Sequence, residues 1–248
     1  MSGHNKWSTI KHKKGAADAK RGKIFSRISK EIIISVQIGG PDTKANAGLR
    51  TIIQNARSEN MPKDKIDAAI KRGTGEIDDG ARFEEVVYEA VGPAGVQFYI
   101  ECLTDNRNRT APELRHILSK VNGQLSAVAW NFDRKGVIAI AAEGVDEDDL
   151  LEKVLEAGGD DLSREGEEFQ VVTEMGDLHT VSGALEEMGV EIQRAKLEMI
   201  PKTTQAVAGK DAEQVLKCLD LLDDCDDVQN VFSNFDIDEE ELERLSAS

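Results

Sequence analysis

The amino-acid sequence predicts a multidomain α and α+β protein: a small N-terminal helical domain followed by two α/β domains, one of them a ferredoxin-like βαββαβ unit. Three observations carry this. Apolar residues recur at helical spacing in successive segments before Gly73. Composition, charge and periodicity all change across the stretch GTGEIDDG, Gly73 to Gly80. From Gly136 to Met199, strand and helix patterns then follow in the ferredoxin-like order. A chain of 248 residues that is 40% hydrophobic can bury the cores of two or three domains.

Taken in order, residues 1 to about 20 lack apolar periodicity and are rich in Lys, Gly and Ala, so an extended arm that orders on a partner is expected. Phe25, Ile28, Ile32 and Val36 then keep helical spacing up to the stop signal Gly39-Gly40-Pro41, although the β-branched run EIIIS leaves a strand open there. Ala45, Leu49, Ile52 and Ala56 mark a second helix. Pro62 opens a third, with Ile66, Ala69 and Ile70 on one face and Gly73 at its end.

Beyond the linker, a strand over Phe83–Val91, the turn Gly92-Pro93-Ala94-Gly95 and the alternation of Val96, Phe98, Ile100 and Cys102 with Gln97, Tyr99 and Glu101 predict a hairpin. A helix through Leu114, Leu118 and Val121 and a short strand around Val128–Phe132 follow. The ferredoxin-like unit has Asp146 and Asp177 as expected helix N-caps and Gly158 and Gly189 as expected C-caps. One helix (Val215, Leu219, Leu222) and one strand (Val228–Phe232) remain, too little for a core of their own. They are expected to return and complete the middle domain. The resulting division is residues 1–77, a discontinuous domain of 78–133 with 201–248, and an inserted domain of 134–200.

The net charge of −16 conceals a segregation. Met1 to Gly75 hold 16 Lys and Arg against 6 Asp and Glu, whereas the rest of the chain holds 15 against 41. An acidic body repels phosphate, so a basic segment attached to it reads as a docking device for nucleic acid. The candidate contacts are Lys6, Trp7, Lys11, His12, Lys13, Lys14, Lys20, Arg21, Lys23, Arg27 and Lys30, with Arg50 and Arg57, seven apart on one helix face, extending the field. His4, Trp7 and His12 supply flat groups that could stack on bases. A secondary candidate is TDNRNRT, Thr104 to Thr110, where a strand hands over to a helix: Asn106, Arg107, Asn108 and Arg109 with free helix-start amides could hold a phosphate. The competing reading there is Asn and Thr as caps, with Arg paired to the acidic surface.

No catalytic, cofactor or metal site is expected. Gly73-Thr74-Gly75 lacks a third glycine, Gly209-Lys210 lacks the rest of a phosphate loop, no GxSxG or HExxH occurs, and the acidic clusters lack EF-hand spacing. Cys102, Cys218 and Cys225 read as reduced thiols and, with neither an export signal nor a membrane span in the sequence, point to the cytoplasm.

The stretches GHNKWSTIKHKKGAADAKRGKIFS, GGPD, TDNRNRT, VAWNF-RKG and LDDCDDVQNV, in that order, resemble the YebC family of bacterial proteins nearly end to end. The resemblance implies a three-domain α and α/β protein, labelled in that family a transcriptional regulator that binds DNA. It also implies a link to translation, through a mitochondrial relative regarded as a translational activator and bacterial members associated with stalled ribosomes. The family's basic motif matches through Lys6, Trp7, Lys11, His12, Lys13, Lys14, Lys20 and Arg21, and its Asn/Arg motif through Asn106 to Thr110. After Lys120 this chain reads VNGQLSAVAWNF where the family has a longer glycine-rich turn. Two functions therefore stand side by side, a DNA-binding regulator of transcription and an rRNA- or tRNA-binding translation factor, with a protein–protein adaptor as the reading from another class. Charge does not choose between DNA and RNA. The absence of an evident recognition helix or dimerisation heptad leans toward RNA, and the family label toward DNA.

Overall fold

The computed structural model describes residues 17–77, 80 and 82–246. The N-terminal unit is three helices, α1 (Ala17–Gly39), α2 (Ala47–Ser58) and α3 (Lys63–Gly73). The β-branched run at Glu31–Ser35 is helical, because Ile28, Ile32, Ile33 and Val36 fall on one stripe and bury against Leu49, Ile53, Ala56, Met61, Ile66 and Ala69. Tertiary burial overrides the local strand preference of that run. The chain reverses at Gly40, whose φ of +78° suits glycine, and Asn46 caps α2 by accepting from the Leu49 amide at 2.9 Å.

The middle unit begins with the antiparallel hairpin β1 (Glu84–Val91) and β2 (Gln97–Thr104), followed by α4 (Arg107–Ser119) and the short β3 (Gln124–Leu125). The chain returns to it through β8 (Gln205–Ala206), α7 (Gly209–Asp223), β9 (Val228–Ser233), β10 (Phe235–Asp236) and α8 (Glu239–Ser246). Its main sheet has the order β3-β1-β2-β9. One core spans both segments: Phe98, Ile100 and Leu114 from the first pack with Val215, Leu219 and Phe235 from the second.

Between the two segments lie β4 (Phe132–Ala141), α5 (Glu147–Ala157), β5 (Gly159–Glu165), β6 (Glu168–Thr173), α6 (Leu178–Met188) and β7 (Ile192–Pro201), with the sheet order β5-β6-β4-β7. That is the antiparallel ferredoxin-like arrangement, with both helices packed on one face around Ile138, Ile140, Leu150, Phe169, Val181 and Leu185. Asp146 caps α5 as expected, and Gly158 and Gly189 end their helices in the left-handed conformation. Asp177 makes no side-chain cap.

One further expectation needs correction. Val128–Phe132 is not a strand of its own: residues 129–131 form a 3₁₀ turn, and Phe132 already opens β4, which runs without a break into the ferredoxin-like sheet. The other face of β2 is also partly covered. Tyr99 packs against Phe132 and Phe232, with ring centroids 6.0 and 6.5 Å away, and with Val128 and Met199 this forms a small second core on the other side of the middle sheet.

Candidate nucleic-acid interface

Of the candidate contacts, Lys6, Trp7, Lys11, His12, Lys13 and Lys14 lie outside the described residues, as do the side chains of Lys20 and Arg21 on the first turns of α1. The next three cations of α1 turn toward the body and are engaged by it. Lys23 Nζ donates to Asp224 Oδ1 at 2.7 Å and to its carbonyl at 3.2 Å, and Arg27 Nη2 donates to the Asp223 carbonyl at 2.7 Å. Lys30 Nζ reaches the carbonyls of Leu103 and Asp226 and the Asp227 carboxylate, at 3.2, 2.8 and 2.9 Å, and lies 5.5 Å from the centre of the Phe83 ring. These groups gather at the C-terminal end of α7, where the helix presents unsatisfied carbonyls and the negative end of its dipole. The spacing of Lys23, Arg27 and Lys30, one turn apart in sequence, therefore holds α1 on the acidic loop 223–227.

The segment Thr104–Thr110 meets the same loop. Asn106 caps α4 by accepting from the Arg109 amide, and Arg107 makes a two-point ion pair with Glu84. Arg109 pairs with Asp105 at 2.9 Å and with Asp227 at 2.8 Å. Asp227, whose side chain is only 3% exposed, also accepts from Thr104 Oγ1 at 3.1 Å and Thr110 Oγ1 at 2.8 Å. Burial by itself would raise the Asp227 carboxyl, but the hydrogen bonds from Arg109, Lys30 and Thr110 outweigh it and bring the group down to about 2. At the strand-to-helix junction, Arg109 and the Thr104 and Thr110 hydroxyls are thus engaged by a carboxylate of the same chain, held by side chains rather than by the helix-start amides. Capping and internal pairing account for Asn106, Arg107 and Arg109, and Asn108 is exposed.

Further exposed cations lie on α2 and α3. Arg50 and Arg57 are both exposed on the same side of α2, Arg50 Nη1 donating to the Thr43 carbonyl at 3.1 Å. Lys63, Lys65 and Lys71 are exposed on α3, and Lys65 lies 5.1 Å from the centre of the Phe25 ring on α1. Sequence reasoning missed Asp227, which sits in an acidic cluster that reads as solvated surface. The available signal was its place between the buried Cys225 and Val228, directly before a strand. It also missed Trp130, whose side of the 3₁₀ turn leaves the indole 65% exposed.

Fold and site together define a three-unit α and α+β protein in which a basic helical module is bound by its first helix to an acidic α/β body. Family models for the TACO1/YebC protein N-terminal domain and for the TACO1/YebC second and third domain match residues 5–76 and 83–235. The chain belongs to the TACO1/YebC family. It is 54% identical over 248 residues to a protein of Trichlorobacter lovleyi named a probable transcriptional regulatory protein, covering 99% of this chain and 100% of that one. A protein of the same description from Desulforapulum autotrophicum is 50% identical over 97% of this chain and 98% of its own length. The crystal structure of a conserved hypothetical protein from Aquifex aeolicus superposes with a TM-score of 0.80 at 42% identity, covering 91% of this chain and 95% of that chain. Among the described residues, no helix is long and apolar enough to cross a membrane.

Proposed function

We infer that the protein is a cytoplasmic, non-enzymatic regulator of gene expression that binds nucleic acid through its basic N-terminal segment. The observation that carries this is the segregation of charge, 16 cations against 6 acids up to Gly75 on a chain of net charge −16. The docking surface is then the arm with Lys6, Trp7, Lys11, His12, Lys13 and Lys14, continued through Lys20 and Arg21 and along the exposed Arg50 and Arg57. Lys23, Arg27 and Lys30 serve a different end, holding α1 on the body. The names carried by the relatives support a role in transcription, and on that reading the proposed target is duplex DNA. The competing reading, an RNA-binding translation factor, is favoured by one feature, the lack of an evident recognition helix or dimerisation heptad in the sequence.

The test is in-cell crosslinking with sequencing of the attached nucleic acid, for the natural chain and for a variant in which Lys11, Lys13 and Lys14 are changed to Glu. Enrichment of promoter DNA that the variant loses is expected for a transcription factor; lysine-dependent recovery of rRNA or tRNA overturns that reading in favour of translation. Undiminished nucleic-acid recovery by the variant refutes the arm as the docking surface.

A further inference from the structure

We propose that Trp130 is a stacking platform for an unpaired nucleobase, giving the α/β body its own contact with single-stranded nucleic acid, apart from the basic N-terminal segment. This rests on the nucleic-acid reading above and deepens it by naming a second site and the state of the strand it takes.

The turn that carries Trp130 is braced from both sides. Val128 and Asn131, the buried residues nearest to it in sequence, are each 1% exposed. The amides of Val128 and Ala129 both donate to the Glu89 carboxylate. The Asn131 side chain donates to Gln97 Oε1 and to the Thr203 carbonyl, at 2.7 and 3.1 Å, and accepts from the Thr203 amide and hydroxyl, at 3.0 and 2.8 Å. A backbone held this firmly presents an indole to water, although burying an aromatic of that size is among the more favourable things a fold can do. The indole Nε1 donates to the Ala127 carbonyl at 3.3 Å, so its polar edge is already engaged and the apolar ring is what remains on offer.

The surroundings select the occupant. The exposed neighbours in sequence are Ser126, Ala127 and Ala129, small residues that leave clearance around the ring. No other large exposed apolar side chain belongs to this turn or to residues 199–203, which pack beside it, and the strand that holds the turn through Glu89 adds only Val87, so the ring is not the centre of a large hydrophobic protein-binding patch. Glu89 is engaged by two amides. Asp133 is paired by Lys202, whose Nζ also lies 3.2 Å from the Trp130 carbonyl, and Arg134 is exposed four residues along the chain. On an otherwise acidic body this is a place where a phosphodiester strand meets no unpaired carboxylate in the turn. A flat ring with neighbouring cations suits a nucleobase and its phosphate, and a base already stacked within a duplex cannot use it.

The chain has two tryptophans, so a Trp7→Phe variant leaves Trp130 as the sole indole emitter. Titration with a short oligoadenylate single strand, as RNA and as DNA, is expected to quench its emission saturably, while the corresponding duplex does not. In the natural background, Trp130→Ala is expected to weaken single-strand binding roughly 5- to 150-fold, the range for loss of one base–aromatic stack, with Trp130→Phe retaining most of the affinity and duplex binding unaltered. Single-strand binding that depends on Lys11, Lys13 and Lys14 but ignores Trp130→Ala overturns the proposal while leaving the nucleic-acid reading intact. Equal quenching by single strand and duplex also overturns it. Absence of binding to any of these nucleic acids by the natural chain removes both.

Discussion

At the scale of single residues, the side chain with the most consequence is Asp227. Its carboxylate joins α1, the α4 start and the α7–β9 loop through Lys30, Arg109, Thr104 and Thr110. Because its folded value lies near 2 against an ordinary 3.8, the ionised form stabilises the fold by about 2 kcal/mol. That contribution is complete above about pH 4 and is lost as pH falls toward 2, so acid unfolding followed by circular dichroism should show a component in this window that Asp227→Asn removes. At neutral pH the same substitution leaves the nearly buried Lys30 without its counter-charge and should cost about 3 kcal/mol in urea denaturation. The thiols give a second prediction. Burial pushes Cys102 and Cys218 up to about 12 and raises Cys225, and all three are buried, so iodoacetamide should leave the native protein unmodified and label it only on unfolding. The basic character of the site was legible in the sequence, since charge is a property of composition. Which cations the body engages was not, because it depends on loop 223–227 arriving from nearly two hundred residues away. An internal anion and an external phosphate ask for the same residues, which is why the Thr104–Thr110 motif could be read either way.

Among the elements, those with an internal period were legible and those fixed by distant partners were not. The stripe Ile28, Ile32, Val36 and the alternation Phe98, Ile100, Cys102 each announce one buried face, and both faces are buried in the fold. The 3₁₀ turn at 129–131 carries no period. It exists because Glu89, Gln97 and Thr203, from three other segments, satisfy its polar groups. The two-residue strands β8 and β10 are likewise fixed by distant partners, by pairing with each other and by burial of Phe235 in the core. The α1–α2 corner shows a local rule reinforced by packing. Asn46 caps α2, and its amide also donates to the carbonyls of Ser35 and Gly40 at 2.8 and 3.0 Å, tying the end of α1 to the start of α2. A Cβ at Gly39 would come within 2.6 Å of that amide nitrogen, so only glycine leaves room for the bond. Asn46→Ala should therefore cost about 2 kcal/mol, the upper end for a lost cap, and Gly39→Ala should also destabilise; both are read from the midpoint of urea unfolding.

For the whole molecule, the arrangement of charge determines how affinity should depend on salt. Cations of the N-terminal unit fall into two populations: Lys23, Arg27 and Lys30 are bonded to the acidic end of α7, whereas Arg50 and Arg57 face solvent. Only the second kind can exchange counterions with phosphate, since the first has already exchanged water for carbonyl and carboxylate partners. The plot of log affinity against log salt counts phosphate contacts, with a slope of about −0.9 per contact on duplex DNA and about −0.7 on a single strand. Arg57→Ala should thus make the slope shallower by about 1 while leaving the unfolding midpoint nearly unaltered. Lys23→Ala should do the reverse in kind: its ion pair with Asp224 is largely exposed, so the stability change should stay within about 1 kcal/mol, and the salt slope should not move. A slope that falls equally for both variants would mean that α1 leaves loop 223–227 when nucleic acid binds, so that phosphate takes over the place held in the free protein by Asp224.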